Sequence, residues 1–556
     1  MKKGVFLFII ILNVLYINAQ EISRNTPFSL LNKTQLRVKS YNIKALDFEQ
    51  VLEEDAIQQD KYQQFNVARL QKQDLQFENF TSVLLRDSIR VSRITIQLSK
   101  AKKIAIKFKN ISLPKGSELF IYSPNQKKEF LSYTAKDKDY SLSNTISKSI
   151  IGSKIIIEYN QRITTEIDPI IHILGFVNFY EREITQTPGF GGSTNCEVNV
   201  ACSEGEHWCQ EINSVVRIFI QSGKSYSYCS GSVVNNTKQD RTPYVLTAEH
   251  CGTRASEEDF KYWAFEFNYQ SANCDSPDSE SEIKSNRIIG CEKIAQAKRI
   301  GHSGSDFRLI KLLKSIPNEW SVNYAGWDAQ DYSEVKNSGV SIHHPYGDIK
   351  KISTYSKTLT SSDSDGGTQS DEFWKTYWDE TGNGYGITEG GSSGSPLFNK
   401  DGLIIGTLAT GSSFCDYAKE SPDYYGKMSK HWENNGPEKE KQLKPWLDPL
   451  SLGVLKLASL QTGNSIECHK QKIFTDFTIF PNPALDIITI GYQDLSVLSG
   501  SYIEIFNLQG KLVLSEETTS SITNKDVNVS HLSDGFYILK LSKANWNIQQ
   551  KFVILR

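Results

Sequence analysis

The chain has 556 residues, too many for one hydrophobic core, so about two to four domains are expected. A hydrophobic content of 38% with 11% aromatics belongs to a folded globular protein rather than a disordered one. With 62 Lys plus Arg against 64 Asp plus Glu, the formal charge of −2 gives no support for a nucleic-acid ligand or a polybasic membrane surface.

Residues 1–19 read as a secretory signal: Lys2 and Lys3, an apolar centre from Val5 to Leu12, and Ile17-Asn18-Ala19 before Gln20. Asn13 and Asn18 interrupt the run, and no later stretch reaches the ~18 apolar residues of a membrane span. The mature protein is therefore expected to be soluble. Residues 20–187 carry no cysteine. A charged helix is expected from Phe48 to Gln73, then alternating strands at Arg93–Leu98 and Lys103–Phe108. The turn Leu113-Pro114-Lys115-Gly116 leads into another strand, Glu118–Tyr122, making a β-rich unit. From Thr187 to Ser193 the Pro and Gly content reads as a flexible junction suited to proteolytic release.

Residues 188–460 hold eight of the nine cysteines, and their short strands and Gly, Asn and Asp turns argue for an all-β architecture. Within them, Gly391-Ser392-Ser393-Gly394-Ser395-Pro396 sets a serine among glycines, which let backbone N–H groups approach a substrate carbonyl. Alone, such a string is an ordinary loop. Upstream, the apolar run Tyr244-Val245-Leu246 opens into Thr247-Ala248-Glu249-His250-Cys251, a histidine at a strand end. Between them Asp306 opens the short strand Phe307-Arg308-Leu309-Ile310. A lone histidine is commonly a packed core residue and a lone aspartate a turn former, but the order His250, Asp306, Ser393 is one in which a nucleophilic triad occurs. Ser393 would attack, His250 would take and return its proton, and Asp306 would orient the imidazole. The N–H groups of Gly391 and Ser393 would form the oxyanion hole.

Other clusters carry less. Adjacent strand residues point to opposite faces, so His343 and His344 are expected to pack rather than share an ion. Asp363, Asp365 and Asp371 lack the downstream glutamate of a calcium loop and read as a solvated acidic segment. The cysteine gaps match no zinc pattern, so neither metal nor cofactor is expected; eight cysteines could form four bridges, leaving Cys468 over. Pro445 to Pro449 should close the domain with a short helix, and residues 461–472 form a polar linker. Residues 473–556 show turns at regular spacing and period-two strands at Tyr502–Phe506, Tyr537–Leu541 and Lys551–Leu555, as a small sandwich requires.

Beyond the motifs above, the central region contains Cys229 to Thr237, Ala325-Gly326-Trp327-Asp328, Ile342 to Pro345, Thr388 to Pro396, Asp423-Tyr424-Tyr425-Gly426 and Trp446-Leu447-Asp448-Pro449. In these it resembles the bacterial lysyl endopeptidases, and residues 473–556 resemble the type A sorting domain of the type IX secretion system of Bacteroidetes. The resemblance implies a chymotrypsin-like double β-barrel, a propeptide at 20–187, and secretion or cell-surface display. It also implies hydrolysis of protein or peptide substrates after basic residues, lysine before arginine. Asp423 would bind that cation at the pocket base, since Ile387, where trypsin has its pocket aspartate, cannot. The implied bridges are Cys196–Cys415, Cys202–Cys274 and Cys229–Cys251. Cys209 and Cys291 lie outside the pattern and are expected to pair with each other. Two departures stand out: Glu249 precedes His250, and Ala409 replaces a groove histidine whose partner tryptophan is not found between Thr358 and Phe373. A monomer working on its substrates and on an outer-membrane secretion machinery is expected. The competing reading is a catalytically inactive protease fold used as an adhesin or binding protein; substitution of a triad residue would favour it, and none is seen. A glutamyl-specific protease is disfavoured, since an acidic pocket repels glutamate.

Overall fold

The computed structural model describes residues 26–556 apart from 32–37, 63–64, 86–88, 126–128, 136–139, 165–166, 181–187, 298–303, 333, 336–337, 363–370, 462–477, 492–501, 518–523 and 544–545. The signal segment, Arg182 to Thr187, Asp363, Asp365 and Cys468 lie outside the described residues. Strands dominate throughout, with few helices, most of them short.

The N-terminal unit is two packed sheets. In one, Ile89–Leu98 runs parallel to Ser40–Ile43 and antiparallel to Lys154–Arg162, followed by Glu118–Tyr122 and Phe130–Thr134. In the other, Ile170–Phe179 lies between Asn66–Gln76 (β1) and Lys103–Leu113. Ile94, Ile96 and Leu98 of the first sheet meet Ile104, Ile106 and Phe108 of the second in a common core. The expected helix from Phe48 to Gln73 is half right. It spans Phe48–Tyr62, and from Asn66 onward the chain is a strand. Pairing decides this, because β1 has a partner on each edge and Val67 and Ala68 are fully buried, which outweighs local helix preference.

The strands between Val215 and Lys427 form two barrels. The first is built from Val215–Ser222 (β2), Ser225–Val233 (β3), Tyr244–Thr247 (β4), Ala264–Phe267 (β5), Asn286–Ile289 (β6), Cys291–Ala297 (β7) and Phe307–Leu312 (β8). β3 pairs β2 and β4, β4 pairs β8, and β2 pairs β5. β6 on β5 and β7 on β8 close the ring, the chain bending between them at Gly290, whose φ of +93° suits glycine. The second barrel runs Lys351–Tyr355 (β10), Gly339–His343 (β9), Pro396–Asn399 (β12), Leu403–Gly411 (β13), Asp423–Lys427 (β14) and Phe373–Thr376 (β11). The hydrogen bond from Asp379 N to Thr354 O (2.8 Å) brings the far end back to β10. Leu246, Phe307 and Leu309 of the first barrel pack with Val340, Ile342 and Phe398 of the second, a shared core. This is the chymotrypsin-like double barrel.

Three bridges join Cys196 to Cys415, Cys202 to Cys274 and Cys229 to Cys251. The expected Cys209–Cys291 pair is wrong: Cys291 is a buried free thiol, while Cys209 is disulfide-bonded to another partner. Cys291 opens β7 inside the first barrel against Phe260, where burial holds the thiol well above its ordinary pKa.

The N-terminal unit and the first barrel share a continuous sheet, because β1 adds to the edge of β3. Around this seam Lys107 lies over the Tyr262 ring (3.7 Å) and donates to Gln221 Oε1 (2.9 Å), and Lys148 donates to Ser285 Oγ (2.9 Å). Pro188 and Gly189 are buried rather than loose; Gly189 N donates to Tyr346 O (2.8 Å), and Gly191 N and Ser193 Oγ donate to Asp348 (2.8 and 2.6 Å). The described part of the expected flexible junction is therefore pinned. The short closing helix is Lys444–Leu447. The C-terminal unit has two sheets, one of Thr478–Phe480, Ile487–Gly491 and Asn524–Asn528, the other of Leu512–Glu517, Tyr502–Asn507, Gly535–Lys543 and Trp546–Ile554. Ile488, Ile490, Ile503, Ile505, Leu539 and Phe552 form their common core. Among the described residues, no helix is long and apolar enough to cross a membrane.

Candidate active site

His250 begins a short turn just after β4, and Asp306 immediately precedes β8, the strand paired with β4. That pairing brings the two together. His250 Nδ1 lies 2.7 Å from Asp306 Oδ2, and the His250 backbone N–H donates to Oδ1 (3.0 Å). Two contacts to one carboxylate fix the imidazole orientation and favour its Nδ1–H tautomer. Asp306 is fully buried and holds φ +54°, a left-handed conformation that non-glycine residues adopt at a cost of about 1–3 kcal/mol. Glu249, the departure before His250, makes a buried ion pair with Arg308 of β8 (3.3 Å), so a second cross-strand link braces the same turn.

Ser393 is carried by the loop entering β12. Its carbonyl accepts from Ser230 N on β3 (2.9 Å), one residue beyond Cys229, and Cys229 is bridged to Cys251 beside His250. Gly394 sits so close to β4 that a Cβ there would stand 2.6 Å from Ala248 N. No hydrogen bond joins Ser393 Oγ to His250 among the described residues, so the structure unites two of the three expected residues by a direct bond and brings the third alongside through backbone. Gly391 has φ +101°, and a Cβ on it would meet His344 O at 2.9 Å. The N–H groups of Gly391 and Ser393 donate to no acceptor among the described residues, unlike those of Ser392 (to Glu389 O, 2.9 Å) and Gly394 (to Leu408 O, 2.9 Å).

The loop has supports that sequence reading missed. His343, at the end of β9, places Nδ1 2.8 Å from Ser392 Oγ and Nε2 2.8 Å from Ser353 Oγ. Burial depresses its pKa to about 3, so it stays neutral and serves as a fixed strut. His344 packs separately, with Nδ1 2.9 Å from Asp348 O, as adjacent strand residues should. Nothing in the sequence signals that His343 reaches the loop, because only the β9–β12 register places it there.

Asp423 begins β14 and is fully buried. Trp378 Nε1, Thr388 Oγ1 and Ser413 Oγ donate to its Oδ2 (2.6, 2.7 and 2.8 Å), and Ser413 N donates to Oδ1 (3.2 Å). Burial raises its pKa above the ordinary carboxylate value despite these opposing donors. No ion pair to Asp423 occurs among the described residues. Thr388 is five positions before Ser393, so the carboxylate lies under the same segment that carries the serine. The tryptophan that donates to it, Trp378, lies beyond the Thr358 to Phe373 stretch. Asp371, the described member of the acidic segment, pairs instead with Lys427 (2.6 Å). Among the described residues, no cluster of His, Cys, Asp and Glu could hold a metal ion.

Residues 190–426 match the family model "Lysyl endopeptidase, C-terminal domain", and residues 478–555 match the "Secretion system C-terminal sorting domain". A curated lysyl endopeptidase of Pseudomonas aeruginosa is 27% identical over 267 residues, covering 44% of this chain. The match takes in 53% of that protein, so the chain spans about half the length of the curated relative. Among solved structures, an inactivated protease paralogue of the scabies mite aligns with 40% of this chain and 93% of its own at 16% identity and a TM-score of 0.29. A thermostable serine protease from an extremophilic microorganism aligns with 39% of this chain and 93% of its own at 15% identity and a TM-score of 0.28. Two separate stretches of the chain thus match known family models, 190–426 that of the lysyl endopeptidase C-terminal domain and 478–555 that of the secretion system C-terminal sorting domain.

Proposed function

We propose that the double barrel is a secreted serine endopeptidase that cuts after a basic residue, lysine before arginine. The observation that carries this reading is the Asp306-oriented His250 beside a serine whose loop offers two unengaged N–H groups. In the proposed reaction Ser393 Oγ attacks the scissile carbonyl as His250 Nε2 accepts its proton. The N–H groups of Gly391 and Ser393 receive the developing oxyanion, each worth on the order of 3 kcal/mol. The imidazolium, held by Asp306, then protonates the leaving amine, and water repeats the sequence to free the acyl group. Catalytic hydrogen bonds are often long before substrate arrives, and the His250–Ser393 contact is expected to close on binding. Asp423 is the proposed partner of the substrate cation: a buried carboxylate with four donors and no counter-charge favours a cation over an apolar side chain.

In the same reading residues 20–187 are a propeptide, removed by a cut between Arg182 and Phe190. Residues 473–556 direct passage through an outer-membrane secretion machinery, placing a monomeric enzyme outside the cell or on its surface. The missing His250–Ser393 bond is what would favour the alternative, an inactive protease-fold adhesin. Single alanine variants of Ser393, His250 and Asp306, purified folded and free of other proteases, decide between them. Each should lose about 10⁴-fold or more in turnover. Near wild-type hydrolysis by Ser393→Ala would sink the endopeptidase reading.

A further inference from the structure

β3 presents one edge to β2 along its length, while the other edge is shared among three neighbours. Ser232 and Val233 pair with β4, Ser230 N holds the carbonyl of Ser393, and Ser225 to Ser227 pair with β1 of the N-terminal unit. The segment occupied by β1 therefore begins about three residues, or ~10 Å, from the residue that holds Ser393. Its polarity is informative. Asn66 pairs with Ser227, Ala68 with Tyr226 and Arg69 with Ser225, so β1 runs N to C away from Ser393. A substrate's residues on the leaving-amine side also run N to C away from the scissile bond.

Phe65, just before β1, reaches nearest the site. Its ring packs edge-on against Tyr346 (5.0 Å), and a Cβ on Gly390 would stand 2.7 Å from its Cγ. Gly390 precedes the oxyanion-hole glycine, and its carbonyl accepts from Tyr346 N (2.6 Å), so the ring sits against the wall of the serine loop. An added strand supplies main-chain hydrogen bonds for affinity, and a side chain in a pocket supplies specificity.

We propose that Phe65 to Arg69 form a substrate-like plug on the leaving-amine side of the active site, with Phe65 filling the subsite of Gly390 and Tyr346. The N-terminal unit thus competes with those residues of a polypeptide substrate that follow the cut bond. A substrate with only a small leaving group on that side does not reach the plug. This inference rests on the endopeptidase reading.

The test uses the full chain, intact and after cleavage of its junction, with two substrates: a lysine p-nitroanilide, and a quenched peptide with four residues after its lysine. Phe65→Ala in the intact chain should raise peptide hydrolysis about tenfold or more while moving anilide hydrolysis by less than about threefold. In the unsubstituted chain, cleavage of the junction should likewise raise the peptide rate far more than the anilide rate, a measurement that needs no variant to fold. An unchanged peptide rate in Phe65→Ala, or equal gains on both substrates, overturns the plug. If the cleaved chain hydrolyses neither substrate, the endopeptidase reading fails and the plug with it.

Discussion

Replacing Asp423 by asparagine removes one charge at nearly constant volume, and the geometry lets its consequences be separated. Three of the four donors converge on Oδ2 and one, Ser413 N, on Oδ1. An asparagine would place its oxygen in the first position and keep three hydrogen bonds. Its NH₂ would then face the Ser413 N–H, a donor against a donor, costing about 1–3 kcal/mol through an unsatisfied buried group. That cost falls on every substrate alike. Loss of the charge falls on cationic substrates alone: leaving a buried lysine ammonium unpaired costs about 3–5 kcal/mol, or roughly 150- to 4,000-fold at 1.4 kcal/mol per decade. The quantity to measure is kcat/KM for a lysine peptide divided by kcat/KM for its leucine counterpart, in both proteins. It should collapse by about two to three and a half orders of magnitude, with arginine following lysine. A ratio within about threefold of wild type, in a variant that still turns over, would remove Asp423 from the pocket.

Gly394→Ala should be among the most damaging single-methyl changes, since φ is +79° and the new Cβ would press on Thr247 Oγ1 and the backbone of Ala248. Backbone strain and overpacking together predict about 2–5 kcal/mol, to be read by denaturant unfolding. A loss under about 0.5 kcal/mol would contradict it. Burial lowers the Lys107 pKa from 10.5 to about 8 at the seam with the N-terminal unit, and Lys103 and Lys148 shift the same way. A separated unit regains the higher value and binds more protons, so attachment in the cleaved chain should strengthen from about pH 8 upward; gel filtration at pH 7.5 and 9.5 checks it, and weaker retention at 9.5 would refute it. Finally, a chain lacking residues 473–556 should keep peptidase activity once refolded but accumulate inside a host that has the secretion machinery. Normal release of the truncated chain would refute the sorting role.

Much of the site can be read from residue order, because His250, Asp306 and Ser393 lie in short strings whose local chemistry is distinctive. What could not be read is whatever depends on strands meeting across the fold. His343 and Trp378 acquire their partners only through the β9–β12 and β11–β14 pairings, and nothing near either residue signals a loop or a carboxylate. The strand at Asn66 is hidden from sequence for the same reason: its partners are Ile170–Phe179 and β3, remote in sequence. The Cys209–Cys291 error has a different source, since counting leftover cysteines ignores that Cys291 faces the closed interior of the first barrel.

The bridge from Cys196 to Cys415 has a wider reach than its place at the rim of the second barrel suggests. Cys415 is two residues beyond Ser413, which gives Asp423 both a hydroxyl and an N–H. The covalent bond therefore anchors, one turn away, the segment that supplies half of the carboxylate's hydrogen bonds. Thiols stay reduced in the cytosol and oxidise outside it. On the proposed reading of Asp423, a chain whose thiols are still reduced holds the 413–415 segment without this covalent anchor, and oxidation after export restores it. For the proposed enzyme, compartment would thus act as a safeguard on selectivity, with binding of lysine substrates weakest before the protein has left the cell.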